Sequence, residues 1–139
     1  MLPGRRNEMN TTHAPLKQPK PPHNQALGAR GEALAEQFLI EQGFRLIDKN
    51  WRCRYGELDL LMRDGDSYVA VEVKTRTSVR YGTPLEAITA QKASRLRRLL
   101  LEWIREHGVR GAKLRVDGVG VIVSPDGSEP RIDHLRGIS

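Results

Sequence analysis

The sequence predicts an α/β fold, in which a mixed β-sheet packs against helices. Two segments carry apolar residues at helical spacing, and the segments between and after them are rich in β-branched and aromatic residues. An Asp-Gly pair at positions 64 and 65 lies between two such segments and indicates a hairpin. The predicted order along the chain is α-β-β-β-α-β-β, which is typical of a layered α/β domain.

Each element has a local signal. The first helix is predicted over residues 30–42, where Leu34 and Phe38 recur one turn apart and Gly43 follows as a helix terminator. The second helix is predicted over about 90–107, with Thr89 as its N-cap. The other predicted elements are strands at 44–53, 56–62, 68–74, 113–123 and 131–135, and a short helical turn at 84–88.

Composition limits the class of protein. The chain has 139 residues, a formal net charge of +6 and one cysteine, Cys53. It contains no apolar run of roughly 18 to 20 residues that could cross a membrane. With no secretory signal at the start and no partner cysteine for a disulfide, we expect a cytoplasmic protein. The positive charge favours nucleic acid as a partner, although a basic solvated surface is the alternative explanation.

The N-terminal segment differs in composition from the rest. Residues 1–26 are basic and rich in proline, and we expect them to form a disordered tail. The tail is either a basic arm that follows phosphates or an inert leader. Residues 27–139 are then the single domain.

Two acidic residues of the predicted hairpin are expected to be neighbours. A two-residue turn at the Asp-Gly pair places Asp59 opposite Ala70, whereas a four-residue loop over 64–67 places it opposite Glu72. Both registers leave Asp59, Glu72 and Lys74 on one face, because side chains alternate along a strand. Carboxylates this close repel each other unless a cation lies between them or one takes a proton. Mg²⁺, which prefers oxygen ligands, would remove this conflict.

The alternative is that these residues are ordinary charges on an exposed sheet face. The opposite face, including Leu58, Leu60 and Met62, is predicted to be apolar, and the charged face also carries apolar residues. This pattern favours a central strand pair with a buried polar site. Glu32 lies at the margin of the apolar stripe of the first helix. It either supplies a third carboxylate to the site or stabilises the N-terminal end of the helix through its negative charge.

Four motifs carry a family resemblance. Gly-Glu-x-Asp-Leu-Leu at 56–61 and Val-Ala-Val-Glu-Val-Lys-Thr-Arg at 69–76 resemble the PD-(D/E)XK nuclease motif. Gly-Ala-Arg-Gly-Glu-x-x-Ala at 28–35 and Gln-Lys-x-x-Arg-Leu at 91–96 resemble the YraN-type family of small bacterial proteins. That family is similar in turn to archaeal Holliday-junction resolvases. Leu58 stands at a position where the nuclease motif has a loosely kept proline.

The resemblance implies a restriction-endonuclease-like fold, with a mixed central sheet flanked by helices, and a Mg²⁺-dependent endonuclease that cuts DNA according to its structure. Asp59 and Glu72 would ligate Mg²⁺ or Mn²⁺ together with the backbone carbonyl of Val73. Glu32 would complete the ligand set directly or through water. Lys74 would orient or deprotonate the attacking water and offset negative charge on the phosphate.

Contacts to nucleic acid are expected just beyond the third strand and at the start of the second helix, where a helix N-terminus favours phosphate. The four residues expected to make them are Arg76, Gln91, Lys92 and Arg95. Surface residues held in salt bridges are the alternative. A homodimer would suit a symmetrical junction.

Two other functions are compatible with the sequence. The chain is either a non-catalytic nucleic-acid-binding protein that retains the nuclease fold, or a scaffold for a protein partner. A pure binder has no need of Asp59, Glu72 and Lys74 together, so their combination favours hydrolysis.

Overall fold

The computed structural model describes residues 22–138 and confirms a mixed α/β fold with the predicted element order. The two α-helices are α1 (Pro22–Glu41) and α2 (Ala90–Glu106), and a short 3₁₀ helix precedes α2 (Pro84–Ala87). The strands are β1 (Arg45–Cys53), β2 (Gly56–Asp64), β3 (Ser67–Arg76), β4 (Lys113–Ile122) and β5 (Arg131–Leu135).

The five strands form one open sheet in the order β1-β2-β3-β4-β5. The central pair β3 and β4 is parallel, and the other neighbours are antiparallel. A parallel pair needs a long connection between its strands, and here that connection contains α2. The expectation of a mixed sheet is therefore confirmed.

Of the two registers predicted for the hairpin, the structure has the one expected for a loop over 64–67. The ladder pairs Asp64 with Ser67, so the turn consists of Gly65 and Asp66 rather than the Asp-Gly pair. Gly65 has a φ of 61°, which glycine adopts without the steric cost that a side chain would add. The resulting register is the one in which Asp59 faces Glu72.

The helices cover opposite faces of the sheet. Ala35 and Leu39 of α1 pack with Leu60 and Val71 in one hydrophobic cluster. The apolar residues of α2, including Trp103, pack in a second cluster with Leu61 and other residues of the opposite face. The sheet is thus the middle layer of three.

Helix α1 is longer than predicted because it begins at Pro22 rather than at residue 30. Proline is tolerated in the first turn of a helix, where its missing N–H has no intrahelical partner to lose. Residues 22–26 of the predicted tail are therefore helical, and residues 1–21 lie outside the described part of the chain. Neither helix within residues 22–138 has the length and apolar content that a membrane crossing requires.

Strand β4 carries a buried ion network on the face that α1 covers. Asp117 is fully buried and accepts hydrogen bonds from Arg115, His134 and the backbone N–H of Gly137. Burial acts to raise the pKa of Asp117, but these donors together lower it below its ordinary value. Asp117 thereby fastens the C-terminal segment to the sheet, which is a structural role.

Candidate functional site

The candidate site lies where β2 and β3 separate. Their ladder runs from the Asp64–Ser67 pair to the Leu60–Val71 pair, while β2 continues alongside β1 and β3 continues alongside β4. The register, extended by one residue, sets Asp59 opposite Glu72. The fork therefore opens at the two acidic residues predicted to share a site.

The strand pair is irregular at this place. Leu58 packs in the cluster on the α2 side, whereas Leu60 and Met62 pack in the cluster on the α1 side. The expectation that these three residues share one apolar face was wrong, because the alternation of β2 breaks at Asp59. On β1, Asn50 has a positive φ of 52°, a conformation that asparagine tolerates better than most residues.

Asp59 and Glu72 both make polar contacts with residues of β3. An Asp59 carboxylate oxygen (Oδ2) accepts a hydrogen bond from the backbone N–H of Val73 at 3.4 Å, so a side chain bridges the separated strands. Two residues further along β3 than Glu72, Lys74 places its Nζ atom 3.3 Å from Glu72 Oε2. The structure thus brings together Asp59, Glu72 and Lys74, although the regular alternation of β2 on which the prediction was based breaks at Asp59.

Glu32 reaches the same region from α1. A Cβ atom placed on the preceding residue, Gly31, would lie 2.8 Å from the Cβ atom of Thr75 at the end of β3. Only glycine permits this approach of helix to strand, and the approach sets Glu32 beside the fork. The Glu32 carboxylate accepts a hydrogen bond from Asn50 Nδ2 at 3.2 Å.

Negative charge accumulates around Asp59. Burial, together with the nearby carboxylates of Glu72 and Glu32, raises the pKa of Asp59 to about 8. The hydrogen bond from Val73 opposes this effect without overcoming it. A carboxyl group in this environment carries a proton at neutral pH unless a cation is present to offset its charge.

Positive charge accumulates beside it. Lys74, with a smaller contribution from burial, lowers the pKa of Lys92 below its ordinary value, while Glu72 acts in the opposite direction. Arg95, one turn further along α2, adds to the same repulsion. An anion located near Lys74 and Lys92 would relieve the conflict between these ammonium groups.

The other residues predicted to contact nucleic acid differ in how exposed they are. Gln91 and Arg95 are exposed on the first turns of α2, whereas Arg76 is half-buried at the end of β3. Within residues 22–138, Arg76 Nε is buried without a hydrogen-bond partner. The N-cap of α2 is confirmed, since the Thr89 hydroxyl accepts a hydrogen bond from the backbone N–H of Lys92.

Two residues of the site were not predicted from the sequence. Gly31 belongs to one of the family motifs, but nothing in that motif indicates that α1 meets β3 there. Asn50 lies inside a segment predicted as a regular strand. Asparagine is depleted in strands and favours a positive φ, so its presence inside a predicted strand was the available signal.

The donor set can be compared with what a divalent cation needs. Among the residues that the structure describes, no three His, Cys, Asp or Glu side chains are already grouped so that they could hold a metal ion. Mg²⁺ characteristically takes only one or two protein carboxylates and keeps several waters. Asp59 and Glu72, with surplus negative charge between them, meet that smaller requirement.

Comparison with known proteins places the chain in a family. Residues 31–121, which include all the candidate site residues, match the family model described as "Uncharacterised protein family UPF0102". A UPF0102 protein of Nocardioides sp. (strain ATCC BAA-499 / JS614) is 53% identical over 114 residues, which are 82% of this chain and 91% of that protein. A UPF0102 protein of Renibacterium salmoninarum is 52% identical over 112 residues, which are 81% and 94% of the two chains. These matches confirm the YraN-type resemblance, and the chain belongs to the uncharacterised protein family UPF0102.

Proposed function

We propose that this chain is a Mg²⁺-dependent endonuclease of restriction-endonuclease-like fold that hydrolyses phosphodiester bonds in DNA, with selectivity for DNA structure. The observation that carries the proposal is the meeting of Asp59, Glu72 and Lys74 in the fork between β2 and β3. Glu32 from α1 and Lys92 from α2 add one more charge of each sign to the same place.

The surplus of negative charge supports a cation ligand. Asp59, Glu72 and the backbone carbonyl of Val73 would hold Mg²⁺ or Mn²⁺, and Glu32 would complete the ligand set directly or through a water. The bound cation would polarise a phosphoryl oxygen and lower the pKa of a ligated water. The raised pKa of Asp59 supports this assignment, because the site is short of positive charge as it stands.

The lysines support a phosphate as the second partner. Lys74 would offset charge on the phosphate during cleavage and orient the attacking water, and its ion pair with Glu72 holds its ammonium group at the fork. Lys92, with Arg76, Gln91 and Arg95, would hold the neighbouring backbone of the nucleic acid. The carboxylates of the site repel one another, and so do the ammonium groups beside them. A cation bound by the carboxylates and a phosphate bound by the lysines would relieve both repulsions.

One observation favours the alternative of nucleic-acid binding without cleavage. Within the described residues no ready group of three metal-binding side chains exists, and Lys74 is already paired with Glu72. A protein that only binds nucleic acid would keep the basic residues of α2 and gain nothing from a cation.

A cleavage assay separates the two functions. Purified full-length protein is incubated with Mg²⁺ or Mn²⁺ and labelled branched, nicked, single-stranded and duplex DNA, with RNA for comparison. We expect metal-dependent cleavage that is lost in Asp59→Asn and in Glu72→Gln but kept in Glu129→Gln, an exposed acid far along the chain. Binding without cleavage in the unmodified protein, across all substrates and both metals, would favour the non-catalytic alternative.

A further inference from the structure

Two arginines stack on one exposed tyrosine ring at the turn between β1 and β2. Tyr55 is 37% exposed. The guanidinium carbon of Arg98, from α2, lies 4.3 Å from the centre of its ring, and that of Arg54 lies 5.2 Å from it. None of the ion pairs formed within residues 22–138 involves Arg54 or Arg98.

This arrangement leaves hydrogen-bond donors available. A guanidinium group that stacks on an aromatic ring keeps its N–H groups free at the edge of its plane. Those edges match the oxygens of a phosphate, which arginine binds with two parallel hydrogen bonds. Because the ring holds both side chains in place, less conformational entropy is lost when an anion binds.

The turn is held against α2. A Cβ atom on Gly56, the residue after Tyr55, would lie 3.4 Å from a methyl carbon of Leu99, so the backbone of the turn packs closely on the helix. Two sequence-distant arginines therefore meet on one ring through the packing of these elements, rather than through a local sequence feature.

A basic stripe joins this stack to the candidate site. Lys92, Arg95 and Arg98 are spaced three residues apart, so each is a neighbour of the next on the helix surface, and the row winds around α2 by about 60° at each step. Lys92 is the member beside the candidate site, where the Lys74 ammonium group lowers the pKa of Lys92. Arg98 lies six residues after Lys92, roughly 9 Å along the helix axis at 1.5 Å per residue.

We propose, on the basis of the proposed endonuclease function, that Arg54, Tyr55 and Arg98 form a second phosphate-binding site for the sugar–phosphate backbone of the bound nucleic acid. At roughly 3.4 Å of axial rise per nucleotide, this site lies about two to three nucleotides from the bond that is cut. The strand would leave the fork along the row that runs from Lys92 through Arg95 to Arg98. The site binds backbone and reads no sequence.

Salt dependence of binding tests this inference. The full-length protein carries Asp59→Asn, so that binding is measured without cleavage, and its affinity for a labelled short DNA duplex is recorded over a range of salt concentrations in EDTA. Adding Arg54→Ala and Arg98→Ala removes two contacts and should reduce the slope of log K against log salt by about 1.8. Adding Arg110→Ala and Arg131→Ala removes the same charge elsewhere and should leave the slope unchanged.

The tyrosine provides a second readout. In the same Asp59→Asn background, Tyr55→Ala should weaken binding roughly two- to fivefold, because the arginines lose their support, whereas Tyr55→Phe keeps the ring and should bind like its parent. The inference is overturned if the two double-arginine variants show equal slopes. It is also overturned if Tyr55→Ala binds as tightly as Tyr55→Phe.

The proposed function and the further inference fail in different ways. Cleavage by the wild-type protein, combined with equal slopes, contradicts the second phosphate site alone. The expected change in slope, combined with no cleavage under any metal, contradicts the endonuclease function alone. No binding of DNA by the Asp59→Asn protein at low salt contradicts the second site.

Discussion

At Asp59 the fold places a carboxyl group where its charge is disfavoured. The residue is partly buried, faces Glu72, lies near Glu32 and accepts a hydrogen bond from the backbone N–H of Val73. A cation would relieve this arrangement, and without one the carboxyl group costs the folded state free energy. Such destabilised groups are typical of binding and catalytic sites, where function takes precedence over stability.

Replacing Asp59 by asparagine should therefore stabilise the metal-free protein at alkaline pH. The carboxyl pKa is about 8 in the folded state and 3.8 for an unperturbed aspartate, so the folded state binds more protons between these values. Stability of the wild type then falls as pH rises from about 4 to about 8, by an amount on the order of a few kcal/mol. The asparagine side chain of the variant does not titrate, and it keeps an oxygen that can accept a hydrogen bond from Val73.

Thermal unfolding in EDTA at acidic and alkaline pH measures this effect. We expect similar melting temperatures for wild type and Asp59→Asn near pH 4, and a melting temperature several degrees higher for the variant near pH 9. A variant that is less stable than the wild type at alkaline pH would show that the Asp59 charge is well accommodated.

Lys74 is expected to act on the chemical step. Lys74→Ala removes the ammonium group nearest to Glu72, and should slow single-turnover cleavage by about 100- to 1000-fold at saturating metal, since one group that stabilises developing charge is worth about this much. Affinity for DNA should change far less, because Lys92 and the arginines of α2 remain. A defect in binding alone, with an unchanged rate of cleavage for bound DNA, would reassign Lys74 to substrate binding.

At the scale of elements, the approach of α1 to β3 depends on a single glycine. Any side chain at Gly31 would overlap Thr75, and the overlap reaches the Cβ atom of Thr75 and not merely the end of a flexible chain. We expect Gly31→Ala to push α1 away from the sheet and to displace Glu32 from the fork. Both stability and metal-dependent cleavage should fall.

The same helix offers a matched control. Gly28 has no atom within 4 Å of where its Cβ would lie. Gly28→Ala should therefore stabilise the protein by roughly 0.5–1 kcal/mol, the usual gain for alanine over glycine inside a helix. Denaturant unfolding measures the free energy of unfolding of both variants. Equal effects of the two substitutions would contradict the close approach at Gly31.

The elements themselves could largely be predicted from local signals. The capping residue Thr89, the strand patterns around the hairpin and the glycine after α1 each act over a few residues, and the corresponding elements are present. The turn residues and the start of α1 could not be predicted as well. Asp-Gly and Gly-Asp turns differ by one residue in the same short segment, and Pro22 is compatible both with a helix start and with an extended tail.

The candidate site was predictable only in part. Alternation along β3 was enough to place Glu72 and Lys74 on one face, whereas Asp59 lies where the alternation of β2 breaks. The fork itself, the break in alternation at Asp59 and the hydrogen bond between Asn50 and Glu32 depend on how β1, β2 and α1 pack. The Arg54–Tyr55–Arg98 stack likewise joins a turn to a helix, and no sequence spacing indicates that contact.

At the scale of the whole molecule, the residues that stabilise the fold lie apart from the residues of the candidate site. The two hydrophobic clusters lie on opposite faces of the sheet, and the buried Asp117 network fastens the C-terminal segment near β4 and β5. The acidic and basic groups meet instead where the sheet opens. Substitutions in the fork should therefore change metal binding while leaving the fold intact.

Direct measurement of Mn²⁺ binding by calorimetry tests this separation and the central role of the fork. We predict one ion bound per chain at neutral pH, with release of about one proton, because Asp59 with a pKa of about 8 must ionise to bind the metal. Binding should be lost in folded Asp59→Asn and Glu72→Gln and retained in Glu129→Gln. Absence of binding in the wild type, or undiminished binding in both fork variants, would contradict the account.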